Sequence, residues 1–218
     1  MDTFKRKVLT IAVTLSLATT VGAVGKIPDP IVDSPLATVK GERTAVLAGG
    51  CFWGLQAIFE HVKGVTGVTA GYSGGSAESA NYEAVSDGST GHAEAVHITY
   101  DPSQITYGQL LKVFFFAAHD PSELNRQGPD TGTQYRSVIF YSNEDQRRIA
   151  LAYINQLSQT KVFERPIVTQ VVGLHAFYKA ESYHQDFAIK HPNDSYIVIN
   201  DLPKVRRLRQ QFPALYVP

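Results

Sequence analysis

Thr44–Val62 reads TAVLAGGCFWGLQAIFEHV, and this stretch decides the fold. Thr44 to Ala48 is a short apolar run of the kind that forms a buried strand, and Gly49-Gly50 breaks it. Beyond the glycines Leu55, Ile58, Phe59 and Val62 recur at helical spacing, so a strand passes into a helix at Cys51. Downstream, Val65, Val68, Ala70 and Tyr72 mark a second strand, and Ala93 to Tyr100 alternates as a third. Thr106 and Gln109 form a capping box ahead of Leu110, Leu111, Phe114 and Ala118, which reads as a second helix closed by Pro121. Tyr135 to Tyr141 is predicted as a strand. Ser142 with Asp145 opens a helix carrying Ile149, Tyr153 and Leu157, Ile167 to Val172 forms another strand, and a last helix covers roughly Glu181 to Lys190. This order predicts an α+β fold: a two-layer plait with a mixed β-sheet and a ferredoxin-like split βαβ core.

The flanks divide the chain further. Lys5, Arg6 and Lys7 precede an apolar run from Val8 to Ala18, and Val21-Gly22-Ala23 supplies small residues, the tripartite pattern of an export signal. That run is interrupted by Thr10, Thr14 and Ser16 and falls short of the ~20 apolar residues of a membrane span. Residues 1–23 are therefore read as a signal peptide directing the chain to the periplasm or outside the cell. Residues 24–43, with Pro28, Pro30 and Pro35, read as an extended leader and 44–200 as the main domain. In 201–218, Leu202, Val205, Leu208 and Phe212 recur at helical spacing between Lys204, Arg206, Arg207 and Arg209. This segment is predicted to be a helix packed on the domain with its basic face in solvent.

The totals exclude several functions. Lys+Arg and Asp+Glu stand at 20 each, so no net field draws in nucleic acid or an acidic membrane. A single cysteine can form neither an internal disulfide, nor a four-thiolate zinc site, nor a Cys-x-x-Cys redox pair. His184 and His191 lack a companion ligand at metal-binding spacing. No metal, no cofactor and no membrane anchor are expected, and the chain is expected to act as a monomer.

What remains is the chemistry of Cys51. A cysteine at a helix start lies beside unpaired N–H groups at the positive end of the helix dipole, which predicts a thiol pKa below its usual ~8.5. Phe52 and Trp53 follow at once. They are either core residues or an apolar cradle for a small substrate group, and sulfur packs well on aromatic edges. Glu94 falls on the strand face shared with Val96, Ile98 and Tyr100. Two readings stay open: a carboxyl kept protonated by burial, suited to general acid work, or a solvated or ion-paired carboxylate with Arg136 as partner. A cysteine hydrolase or acyltransferase using one of seven histidines, His92 or His97 among them, and a binding module with a buried thiol are the alternatives.

Six ordered motifs narrow the choice: Gly49-Gly50-Cys51-Phe52-Trp53-Gly54, Gly71-Tyr72-Ser73-Gly74-Gly75, Tyr82-Glu83-Ala84-Val85, Gly91 to Val96, His119-Asp120-Pro121 and Asp130 to Ser137. Together they resemble the A-type peptide methionine sulfoxide reductases, from about Thr44 to His191 and more weakly from Tyr196 to Tyr216. The resemblance implies reduction of methionine S-sulfoxide, free or in oxidised proteins. In that reaction Cys51 attacks sulfur, Glu94 protonates the oxygen, and Tyr82 and Tyr135 donate hydrogen bonds to it. It further implies Phe52 and Trp53 as the methyl pocket and Asp130 as a residue shaping the site. Many relatives carry resolving cysteines near the C-terminus; none follows Cys51 here. The sulfenic acid left on Cys51 is then expected to need an external thiol: a thioredoxin- or glutaredoxin-type dithiol protein, or glutathione. Phe187 stands where relatives often have tyrosine.

Overall fold

The computed structural model describes residues 27–218; the expected export signal and its cleavage point lie outside the described residues. Strand β1 (Arg43–Ala48) leads into helix α1 (Phe52–Glu60), which returns the chain to β2 (Val65–Ser73). A short helix α2 (Tyr82–Ser86) precedes β3 (Ala93–Tyr100), and α3 (Tyr107–Val113) follows. The two-residue strands β4 (Arg126–Gln127) and β5 (Asp130–Thr131) pair only with each other. Then come β6 (Val138–Tyr141), α4 (Glu144–Thr160), β7 (Gln170–Gly173), β8 (Phe177–Lys179), α5 (Phe187–Lys190) and α6 (Leu202–Gln211).

The large sheet runs β7-β6-β1-β3-β2-β8. Its centre, β6-β1-β3-β2, is antiparallel throughout, with β3 inserted between the two strands that α1 connects. This is the split βαβ plait predicted above. The parallel pairing of β7 with β6 makes the sheet mixed. Alternation divides β3 cleanly. Val96, Ile98 and Tyr100 enter the main core with Leu47, Ala70 and Tyr72, beneath Leu55, Ile58 and Phe59 of α1, Leu110 and Leu111 of α3, and Ile149 and Tyr153 of α4. Ala93 and Ala95 face a smaller cluster with Val46, Val138 and Phe140. Glu94 therefore points into the helix-covered layer.

Local chemistry explains the boundaries. The capping box at Thr106 and Gln109 forms as predicted, whereas α4 is capped by Asn143, whose side chain accepts the Gln146 N–H, and not by Ser142. The strand predicted from Tyr135 begins at Val138, because residues 133–135 turn and the Arg136 guanidinium ties down the carbonyls of Gly91, His92 and Thr133. The strand predicted from Ile167 begins at Gln170. The helix predicted over 181–190 is instead a tight turn, a left-handed residue at Asp186 (φ 57°) and the four residues of α5. Gln185 is the cause: its side-chain amide bonds both the N–H and the carbonyl of Ala70 at 3.0 Å, as a strand neighbour would. Beside it, the Gln56 amide donates to Val68 O.

Residues 27–42 of the leader carry no regular element but are docked. Asp33 accepts the Gly108 N–H at 2.9 Å, Tyr153 donates to the Pro28 carbonyl at 2.8 Å, and Ile27 and Val32 pack on the core. In α6, Leu208 and Phe212 are buried and Arg206, Arg207 and Arg209 exposed, but Lys204 departs from the predicted solvated face. It turns inward to Asp201 at 3.0 Å. No helix of the described residues is long and apolar enough to cross a membrane.

Candidate active site

Cys51 is the residue that caps α1, with extended backbone (φ −54°, ψ 126°). Gly50 before it has φ +98°, and a β-carbon there would lie 2.6 Å from the Gln127 side chain, so both backbone angle and space demand glycine. The free N–H groups of the helix start are divided between two acids. The Phe52 N–H donates to Glu94 Oε2 at 3.0 Å, and the Trp53 N–H acts to lower the Cys51 pKa. One helix terminus thus binds the carboxyl and carries the thiol beside it.

Burial overrides the expectation of an acidic thiol. Cys51 is 8% exposed; desolvation first, then the charges of Glu94 and Asp201, push its pKa well above the ordinary value, outweighing the Trp53 N–H and Lys204. At rest Cys51 is a thiol. Glu94 is also buried and does not meet Arg136, whose guanidinium is engaged with carbonyls. Desolvation lifts its carboxyl to about 8 against the opposing pull of the Phe52 N–H. Below that pH Glu94 holds its proton, the first of the two readings left open by the sequence.

Cys51, Phe52, Trp53, Tyr82, Glu94, Asp130 and Tyr135, the seven residues singled out from the sequence, line one cavity of about 180 Å³. Tyr82 begins α2, whose entry is fixed by its own N–H donating to Glu181 Oε1 at 2.9 Å. Tyr135 closes the turn before β6. Burial raises the pKa of both phenols, with the charge of Glu94 adding to it, so both keep their protons. Asp130 enters from β5. The Trp53 indole stacks on Phe187 at 3.8 Å, within 9° of parallel, so Phe187 serves as an aromatic backing.

An eighth wall residue, Tyr196, was missed. Its hydroxyl donates to Asp130 Oδ2 and its ring meets Trp53 edge-on. Asp201 and Lys204 behind α1, and His184 and Glu181 beside Trp53 and Tyr82, were missed as well. No local pattern reveals them: Tyr196 lies 66 residues from Asp130 and His184 lies 131 from Trp53.

Of the histidines a cysteine hydrolase would need, three are engaged outside the cavity, and His184 beside it accepts from the Trp53 indole. His92 binds the Gly75 N–H and Ser76 carbonyl, His119 binds the Phe114 carbonyl and Ser137, and His97 packs on Phe177.

The family model described as peptide methionine sulfoxide reductase matches residues 43–215. The chain belongs to the peptide methionine sulfoxide reductase family. Within that family, a peptide methionine sulfoxide reductase MsrA 2 of Mesorhizobium japonicum is 58% identical over 81% of this chain and 90% of its own. Another MsrA 2, of Synechocystis sp., is 53% identical over 85% and 88%. The structure of methionine sulfoxide reductase A of Corynebacterium diphtheriae superposes with a TM-score of 0.61 at 34% identity, covering 70% of this chain and 76% of that one. The chain is accordingly an oxidoreductase that returns methionine sulfoxide to methionine, and residues 201–215 lie within the matched region.

Proposed function

We propose that this reductase acts on the S epimer of methionine sulfoxide, with Cys51 as nucleophile, Glu94 as proton donor and an external thiol as final reductant. One observation carries the reading: the single thiol and a carboxyl kept neutral by burial share the end of one helix and open into one aromatic cavity. At about 180 Å³ that cavity is smaller than the ~300 Å³ of a drug-sized pocket. It suits a methyl sulfinyl group, leaving the rest of a free or peptide-bound methionine at the mouth. Phe52 and Trp53 hold the methyl, and the hydroxyls of Tyr82 and Tyr135 hold the oxygen. Asp130, accepting from Tyr196, fixes the wall between them. Methyl, oxygen and line of attack are placed at once, and this selects one configuration at sulfur.

The sulfur of Cys51 attacks the sulfoxide sulfur as Glu94 delivers its proton to the oxygen, and the thiol proton passes to the carboxylate so formed. The S–O bond then breaks and the hydroxyl passes to the Cys51 sulfur as the new S–S bond cleaves: Cys51 is left as a sulfenic acid, having lost two electrons, and the substrate sulfur, having gained them, leaves as thioether. Because the resting thiol is protonated and buried, attack waits for a substrate that engages Glu94. An external thiol then expels the hydroxyl as water, forming a mixed disulfide, and a second thiol frees Cys51. With no other cysteine in the chain, a dithiol protein of thioredoxin or glutaredoxin type fits this half-reaction better than glutathione if the chain is exported, since free thiols are scarce in an oxidising compartment. Lys5–Lys7 and the apolar run Val8–Ala18 support export, which N-terminal sequencing of the mature protein tests.

Racemic methionine sulfoxide supplied with dithiothreitol tests the mechanism. Half should be consumed, none by Cys51→Ser, and a sulfenic-acid reagent added after one turnover without reductant should label Cys51. Consumption of both epimers, or turnover by Cys51→Ser, refutes it.

A further inference from the structure

Trp53 is the only tryptophan in the chain, and its indole Nε1–H donates to His184 Nδ1 at 3.1 Å. An indole nitrogen can only donate. Nδ1 of His184 must therefore turn its lone pair to Trp53, and the neutral ring carries its proton on Nε2. That Nε2 is buried and has no hydrogen-bond partner among the described residues; Glu181 Oε2 stands 3.9 Å away, beyond hydrogen-bonding reach. The ring thus keeps a tautomer that serves Trp53 and leaves its own donor unsatisfied. His184 is 2% exposed, packed by Phe52 of α1 at 5.0 Å, Tyr82 of α2 at 4.5 Å and Tyr183 of its own turn at 4.2 Å.

We propose that His184 is a positioning residue for the reductase: its Nδ1 lone pair sets the angle of the Trp53 indole in the wall of the substrate pocket, and a second proton on the ring releases that wall. The proposal rests on the reading of Trp53 as part of the methyl pocket. An imidazolium has N–H on both nitrogens, so Nδ1–H would face Nε1–H, two donors with no acceptor. The groups facing the ring are the carboxylate of Glu181, itself held by the Tyr72 hydroxyl and Tyr82 N–H, and the neutral phenols of Tyr82 and Tyr183. Glu181 favours the extra proton, but burial outweighs it and pushes the imidazole pKa down. The wall stands at neutral pH and is released in acid.

Because one tryptophan supplies all indole emission, fluorescence reads this contact directly. The full chain should show an acid transition in emission, with a fall in kcat/KM for methionine sulfoxide at the same midpoint. His184→Asn places Oδ1 where Nδ1 stood and cannot titrate; it should keep the neutral-pH emission and lose the transition. His184→Phe keeps a ring without an acceptor. It should show acid-form emission at pH 7 and a KM raised about tenfold, the factor carried by one lost hydrogen bond. A transition that persists unchanged in His184→Asn, or wild-type emission at pH 7 in His184→Phe, overturns the proposal. Comparison of methyl and ethyl sulfoxides separates the two layers. If emission follows His184 while discrimination between them is the same in wild type and His184→Phe, the indole contact stands and the assignment of Trp53 to the methyl pocket fails.

Discussion

Asp201 occupies the space that a β-carbon on Gly54 would need: its Oδ1 would lie 2.2 Å from such an atom, and Lys204 Nζ 3.0 Å. Residue 54 lies in the first turn of the helix that Cys51 caps, so the glycine lets a buried ion pair lie flush against that turn. Gly54→Ala should gain about 1 kcal/mol in helix propensity and lose more by displacing the pair, since a broken buried pair costs about 3–5 kcal/mol. Denaturant unfolding should show a net loss of about 2–4 kcal/mol. A variant as stable as wild type would mean that Asp201 can move aside freely.

Asp201 also bears on the thiol. Its charge is among the causes that push the Cys51 pKa up, after burial and Glu94. Alkylation of the substrate-free protein near pH 8 should be slow for a cysteine at a helix start. Asp201→Asn should speed it, because the opposing charge of Lys204 is then uncompensated. Slower alkylation in that variant would show the pair acting on access and not on charge.

Glu94, with a folded pKa of about 8 against an ordinary 4.5, binds a proton that the unfolded chain gives up. Its contribution is complete below about 4.5 and is lost as pH rises through 8. His119, pushed down to about 4 by burial, acts in the opposite sense, its contribution being lost as pH falls from 6.5 through 4. Unfolding free energy should therefore fall between pH 7 and 8, and Glu94→Gln should flatten that slope. The same variant should reduce kcat by about 10²–10⁴, the range of a lost general acid, with a smaller change in KM. An unaltered stability slope would mean that Glu94 is ionised in the folded protein.

Tyr196→Phe removes only the hydroxyl that Asp130 accepts. Leaving a half-buried carboxylate short of one donor should cost about 1–2 kcal/mol, read as a fall of roughly tenfold in kcat/KM with thermal unfolding little changed. Equal loss of activity and stability would assign the contact to the fold alone.

Much of the architecture was written in local pattern. The strand–Gly-Gly–helix passage at Cys51 and the period-two face of Glu94 set the plait and brought the thiol and the buried carboxyl into view. Tyr82, Tyr135 and Asp130 came only through resemblance, because a phenol or carboxylate on a loop has no period to betray where it points. Tyr196, His184, Asp201 and Lys204 act across sixty or more residues or behind a helix, and single-residue chemistry cannot foresee such meetings. The misread thiol has a different origin. The helix-terminus argument is local and correct in sign, and Trp53 N–H does lower the pKa, but desolvation is a property of the packed whole and is larger. The helix expected over 181–190 failed similarly, its periodicity overruled by one glutamine with a better partner in β2.

That glutamine has a consequence for how the molecule behaves in company. β2 borders the sheet where β8 pairs with Gly71 to Ser73 and the Ala180 N–H extends that cover to the Ala70 carbonyl, and the uncovered border beyond is of the kind that invites a strand from another chain. Here the amides of Gln185 and Gln56 already occupy the polar groups of Ala70 and the carbonyl of Val68. Two side chains act as plugs against strand addition, so this border offers a partly unfolded chain no ready rung on which to aggregate at those positions.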